Sequence, residues 1–462
     1  MLRVLLLLLV MVASARAETL HQYHVSFNRS LSESVTQACF SGEIPAFLVA
    51  ADFKAHRLLQ DIRVEGPGRV ELKHGRINLY PASDSLCLSI VQSLKPLNLR
   101  GNWRNKRRDL FKVKGDLVMP VALWLWRPVR LAADEVIELR FELPQAINVS
   151  APWPQLAQRN HFRINGKTPY NWSGRIAIGA FTPKRLRVAG GDLWVALTGG
   201  LERRRSMLPW LEQAASAVAT VYGRFPLDSA QILVIPVGPD KEAVPWAEVQ
   251  RQGQPAIHFF VDQQRPIQEF RRDWTAAHEF SHLLHPYILR SDAWLYEGIA
   301  SYYQNIARAR AGMLSERQAW QKLYDGFERG RKGLASEMLQ DASGYMQMYW
   351  GGAAIALLAD VQLRQRSDNQ QSLALMLQQL RQCCGDNPGP WSARHLFRQF
   401  DQFSDSRIFS RLYRDQVINR RFPQVARVLN QLGVKVRGGR VELDNRAPLA
   451  GLRRAITQKT SL

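Results

Sequence analysis

Two histidines four residues apart, His278 and His282, with Glu279 directly after the first, constrain this 462-residue chain more than any other feature. Ala276, Ala277, Phe280, Leu283 and Leu284 around them predict a helix. On a helix, residues i and i+4 share a face, so both imidazoles can reach one metal ion. The Glu279 carboxylate then projects beside that ion, where it can take a proton from water and pass it on. After fourteen intervening residues, 283 to 296, the chain reaches Glu297, within the run Trp294-Leu-Tyr-Glu-Gly-Ile-Ala-Ser-Tyr-Tyr303, which predicts a second helix. Two histidines and one carboxylate make a zinc set that leaves the fourth position open to water. A set with its third histidine six residues past His282 does not arise, because that position is Ile288. His285 is a rival ligand, but it lies seven residues from His278, roughly 10 Å along a helix, and Pro286 predicts that the helix ends there. Helix-end packing or support of a ligand is the expected role of His285.

With these residues in place, the sequence resembles the gluzincin clan of zinc peptidases, in particular the aminopeptidase N and glycyl aminopeptidase families. Their second helix carries a similar Trp-Leu-x-Glu-Gly run. The resemblance implies a thermolysin-like catalytic domain, one zinc ion per chain held by His278, His282 and Glu297, Glu279 as general base and then acid, and a peptide or protein substrate. It also implies an oxyanion donor. Tyr349-Trp-Gly-Gly352 matches the tyrosine and last glycine of a Tyr-x-Lys-Gly run in those families, with Tyr345, one turn earlier, as the alternative. Asp292 and Ser301 are weaker candidates near the site. The strand before the zinc helix pairs with the substrate backbone in that clan, and residues 254–261 are its counterpart here. The aminopeptidases' amine-gripping Gly-x-Met-Glu-Asn run is missing. The chain has Arg251-Gln-Gly-Gln254 in its place, and Glu248 falls outside the pattern. Attack confined to the N-terminal residue is therefore not expected, and endo- against aminopeptidase action stays open.

The expected class is multidomain α+β, with an N-terminal β-sandwich-like domain, the catalytic domain and a C-terminal helical region. Residues 1–17 predict a signal peptide: Arg3, the apolar run Val4–Val12, and the cleavage signature Ala15-Arg16-Ala17. Residues 18–197 predict β structure, as in Arg69–Lys73, Val118–Trp126 and Glu135–Leu143, rich in β-branched and aromatic residues between Gly, Pro and Asp. Residues 198–366 predict the zinc domain, with a helix over Leu208–Tyr222, short strands over 231–237 and 256–261, and helices over 316–329 and 353–364. Gly351-Gly-Ala-Ala354 is small enough for close helix packing. Residues 367–462 predict amphipathic helices and a short strand-like piece at Val434–Leu443.

The formal net charge is +22, or +20 once Arg3 and Arg16 leave with the signal. Export to a bacterial periplasm is the expected localisation. It makes an anionic envelope surface a possible partner, makes nucleic acid an unexpected one, and leaves no membrane span in the mature chain. Arg100–Arg108 is the densest basic run and predicts a solvated loop. Cys39, Cys87, Cys383 and Cys384 allow three pairings. Cys39 and Cys87 lie in one region, whereas the adjacent Cys383 and Cys384 are poorly placed to bond each other. Two functions stand against each other: an exported zinc metallopeptidase, and a non-catalytic, basic cell-envelope binding protein with a structural metal site. Glu279 favours the first, since a structural site has no use for a carboxylate beside the metal.

Overall fold

The computed structural model describes residues 19–96, 103–106, 108–171, 174–201, 204–251, 254–333, 337–385 and 389–459. The leader read at 1–17 and much of the basic run at 100–108 lie outside the described residues; Trp103–Lys106 forms one helical turn.

The N-terminal part is built from three sheets. Six strands, Thr19–Phe27, Glu33–Ser41, Leu59–Glu65, Ser85–Ser93, Glu135–Glu142 and His161–Asn165, form the largest. Alternation of buried and half-buried residues along Glu33–Ser41 and Ser85–Ser93 marks one face turned to the core. A three-stranded and a four-stranded sheet share that core, where Tyr23, Leu88, Ile77, Met119, Ile137 and Ile176 meet. The Val118–Trp126 segment is a strand only as far as Pro120, after which Val121–Trp124 turns into a short helix. Cys39 and Cys87 are direct partners on neighbouring strands and form a disulfide. The structure also joins Cys383 to Cys384, against the expectation that adjacent cysteines stay apart. They sit at the last turn of the helix Leu373–Cys384, and with Cys39 and Cys87 committed to each other the neighbouring thiol is the remaining partner.

The next sheet has five strands in the order Lys184–Val188, Gly191–Leu197, Ser229–Pro236, Ala256–Val261 and Trp246–Gln250. Its first two strands come from the stretch read by sequence as part of the N-terminal β region, since Gly191–Leu197 pairs in parallel with Ser229–Pro236. Ala256–Val261 is wholly buried. The edge is held by Trp246–Gln250, which runs antiparallel to it with Glu248 opposite His258. The strand bordering the cleft is therefore 246–250 rather than 254–261: the apolar 256–261 sequence belongs between two neighbours, whereas a partly exposed strand suits an edge.

Helices Met207–Ala219, Thr275–Ser281, Ala293–Arg310 and Tyr345–Arg366 pack around this sheet in one core with the C-terminal helices. Val434–Leu443 is a small hairpin. Among the described residues no helix is long and apolar enough to cross a membrane.

Candidate active site

The HEFSH helix, Thr275–Ser281, starts where the Asp273 carboxylate accepts the Thr275 N–H at 2.7 Å, satisfying one of its free amides. Phe280 anchors its inner face against Phe225 and Phe259, and the chain tightens into a 3₁₀ turn over His282–Leu284. His285 ends that turn in extended conformation, as Pro286 requires. The return to the second helix is pinned by the C-terminal region. Leu289 N–H donates to Trp391 O at 2.9 Å, Trp391 N–H to Tyr287 O at 2.8 Å, and Ala393 N–H to the Asp292 carboxylate at 2.9 Å. Asp292 thus fixes the short connection and is not among the residues that line the cleft of His278, His282 and Glu297.

The helix Ala293–Arg310 carries Glu297 to the two histidines. Its Oε2 lies 3.1 Å from His278 Nε2 and 3.6 Å from His282 Nε2. Donors on one tetrahedral zinc, at ~2.0–2.2 Å from it, stand roughly 3.3 Å apart, so these three atoms fit a single ion. All three candidate ligand atoms lie within 4.8 Å of one another.

The hydrogen bonds behind the histidines fix which nitrogen each would offer to an ion. His278 Nδ1 is 2.8 Å from Gln304 Oε1, an acceptor, so Nδ1 carries the proton and Nε2 offers its lone pair. For His282 the same result comes through His285. His285 Nδ1–H donates to Pro286 O at 2.8 Å, leaving its Nε2 to accept from His282 Nδ1–H at 3.3 Å. His282 Nε2 is then free to bind. His285 is therefore a support for His282 rather than a ligand. Gln304 was not singled out from the sequence; its place seven residues after Glu297, two turns along the same helix, is the signal that could have found it.

Glu279 is buried with 8 % of its surface exposed and faces the same cleft. Burial pushes its carboxyl up to about 8; His278 opposes this, while Glu297 and Glu248 add to it. A dication at the three ligands would draw it back down. Burial opposes charge on His278, but Glu297, aided by Glu279, outweighs it and raises the imidazole above its ordinary value. Burial holds His282 and His285 well below theirs. Glu297 is disfavoured as an anion by burial, yet His282, His278 and Tyr349 bring its carboxyl below the ordinary value.

The helix Tyr345–Arg366 brings Tyr349 in from the other side. Its ring stacks on His278 with centroids 5.4 Å apart and planes 4° from parallel, and its hydroxyl hydrogen-bonds Glu297. Burial, with Glu297 and Glu279 nearby, raises the phenol well above its usual value, so it stays a donor. Tyr345 is 70 % exposed and reaches only the rim. Ser301 is buried one turn past Glu297, and its hydroxyl has no partner among the described residues. Together His278, Glu279, His282, Glu297 and Tyr349 line one cleft of about 480 Å³, closed on one side by Trp246–Gln250.

No protein-family model and no curated protein matches the chain by sequence. Solved structures do match it in shape. An aminopeptidase N family protein from Idiomarina loihiensis superposes with a TM-score of 0.67 at 15% identity, over 89% of this chain and 78% of that one. An M1 zinc metallopeptidase from Deinococcus radiodurans gives 0.54 at 12% identity, over 88% and 96%. Native yeast LTA4 hydrolase gives 0.54 at 11% identity, over 90% and 70%. The chain has the fold of the M1-type zinc metallopeptidases.

Within this M1-type fold the edge strand carries a feature that the sequence placed outside the family pattern. Glu248 lines the cleft, but its carboxylate is engaged by Arg175 Nε at 3.0 Å and His258 Nδ1 at 3.3 Å. Burial would raise its carboxyl; Arg175, with His258, overrides this and holds it well below the carboxylate range. Arg175 comes from a strand of the N-terminal region, so the ion pair also ties that region to the cleft edge.

Proposed function

We propose that this protein is a zinc-dependent metallopeptidase that hydrolyses peptide bonds in the cleft between Trp246–Gln250 and the HEFSH helix. The observation that carries the reading is the convergence of the three ligand atoms with Glu279 and Tyr349 in one cleft. Zinc there would supply a Lewis acid that acidifies water and polarises the scissile carbonyl. His278 and His282 present Nε2 lone pairs because Gln304 and His285 hold their other nitrogens. Glu279 takes the proton from the attacking water and delivers it to the leaving nitrogen. The Tyr349 hydroxyl donates to the oxygen that becomes negative as the carbonyl turns tetrahedral, exchanging its Glu297 partner for the oxyanion. The edge strand offers its backbone to an extended substrate, adding it as a further strand.

Glu248 is already neutralised by Arg175, so it offers no free anion to a substrate's amine. We therefore read the enzyme as not restricted to removal of the N-terminal residue. The leader-like residues 1–17 support export, with a bacterial periplasm as the proposed site, and the high positive charge supports an anionic envelope surface as its neighbour. The test is cleavage of an unbiased peptide mixture by the mature protein, mapped by mass spectrometry, with a chelated sample and Glu279→Gln as controls. Chelator-sensitive internal cuts are expected; no cleavage in any sample would overturn the reading.

A further inference from the structure

Behind the metal site lies a second cavity, of about 330 Å³, walled by the N-terminal region, the zinc domain and the helix Leu373–Cys384. It adjoins the catalytic cleft: Arg251, His285 and Tyr287 line both. Arg251, Arg381 and Lys167 face it, and none of the three has a carboxylate partner among the described residues. Asp228, the acidic residue in its wall, is turned to Arg224 at 3.0 Å, and Arg163 is turned to Glu138 at 3.4 Å. The Arg251 guanidinium is the clearest case, because its Nη1 is buried with no hydrogen-bond acceptor among the described residues. Arg251 and Arg381 stand close enough to act on each other and on the Tyr222 phenol. Burial draws Arg251 down to about 9; the Tyr222 phenol opposes this and Arg381 adds to it.

Two guanidinium groups brought together in a partly dry cavity with a donor left open are costly unless an anion joins them. Guanidinium is also the group that grips a carboxylate in a fork of two hydrogen bonds. We infer that this cavity is a carboxylate subsite, in which Arg251 and Arg381 receive an acidic group of the peptide being cut. The inference rests on the peptidase reading. The carboxylate comes either from an acidic side chain or from the C-terminus of a short peptide, and the shared wall at His285 and Tyr287 lets one extended chain reach both places. Arg381 is here a specificity residue, remote from the bond that breaks.

Binding can be read separately from cleavage. Glu279→Gln, which keeps the metal ligands, is titrated calorimetrically with four peptide pools: C-terminus free or amidated, each with or without Glu and Asp. Pools with a carboxylate are expected to bind about 10- to 100-fold more tightly than the amidated, acid-free pool. Which single source restores affinity identifies the group the cavity takes. Adding Arg381→Gln should abolish the preference and leave affinity for the acid-free pool unchanged; Lys167→Gln, on an exposed side chain, should reduce it in part. Equal binding of all four pools, or a preference that survives Arg381→Gln, overturns the subsite. Absence of cleavage of every pool by the wild-type protein overturns the peptidase reading instead and leaves the binding comparison valid.

Discussion

Gly298 and Gly352 bring the helices of Glu297 and Tyr349 into backbone contact. A Cβ on Gly298 would lie 2.3 Å from Gly352 Cα, and one on Gly352 would lie 1.8 Å from Trp294 O. Glu297 and Gly298 are neighbours in one helix, and Tyr349 precedes Gly352 by less than one turn in the other. The crossing therefore sets how far Tyr349 stands from His278, His282 and Glu297. Gly352→Ala should push the helices apart, with an overpacking cost of about 1–3 kcal/mol and a large loss of turnover. Thermal unfolding and kinetics of the purified variant check both; wild-type values for each would show that the crossing has slack.

Glu279→Gln and Glu297→Gln should separate base from ligand. The first leaves the three ligands intact, so zinc content should stay near one per chain while turnover falls by about 10²- to 10⁴-fold. The second removes the charged ligand, and zinc should be lost with activity. Metal analysis of both proteins after dialysis decides between the roles. Full activity in Glu279→Gln would sink the mechanism.

Tyr349→Phe should keep zinc and lower kcat by about 10²- to 10³-fold, the usual loss of one oxyanion donor. KM should change little, because that hydrogen bond forms in the transition state. Tyr345→Phe, on the exposed rim, should resemble the wild type. The reverse result would shift the donor by one helical turn.

Gln304→Ala removes the acceptor behind His278, and His285→Ala the one behind His282. Each should weaken zinc binding by about 10- to 100-fold, as loss of a group that orients a ligand does. Competition against a chelator of known affinity measures it, and unchanged affinity would mean that the ring orientations are set by packing alone.

Glu248→Gln should leave the buried Arg175 charge unpaired and destabilise the fold by about 3–5 kcal/mol at pH 7. The sign with pH follows from the lowered folded-state carboxyl of Glu248. Its stabilisation is complete above the ordinary carboxyl value of 4.5 and is lost as pH falls below it. The gap between wild type and variant should therefore shrink in acid. Denaturant unfolding at pH 7 and near pH 4 tests this, and a gap independent of pH would remove Glu248 as its cause.

By itself the sequence singled out a candidate ligand set, because two histidines at helical spacing, His278 and His282, followed by Glu297 on a second predicted helix, admit few other uses, and the structure brings the three within reach of one another. It also determined the type of segments such as Ala256–Val261, the strand its apolar run predicts, while the resemblance to a Tyr-x-Lys-Gly run pointed to Tyr349, which stacks on His278. Only the tertiary structure decided which strand borders the cleft, since edge or centre is a matter of neighbours and not of one strand's composition. It also assigned the strands at 184–197 to the five-stranded sheet beside the cleft, because pairing between segments 30 or more residues apart leaves no local mark. The tautomers of His278 and His282 were likewise out of reach, being set by Gln304 and His285 through hydrogen bonds that exist only once the chain is folded. The pairing of Glu248 with Arg175, 73 residues away, is of the same kind: a charge reads the same in the sequence whether it stands free in a cleft or is neutralised from another sheet.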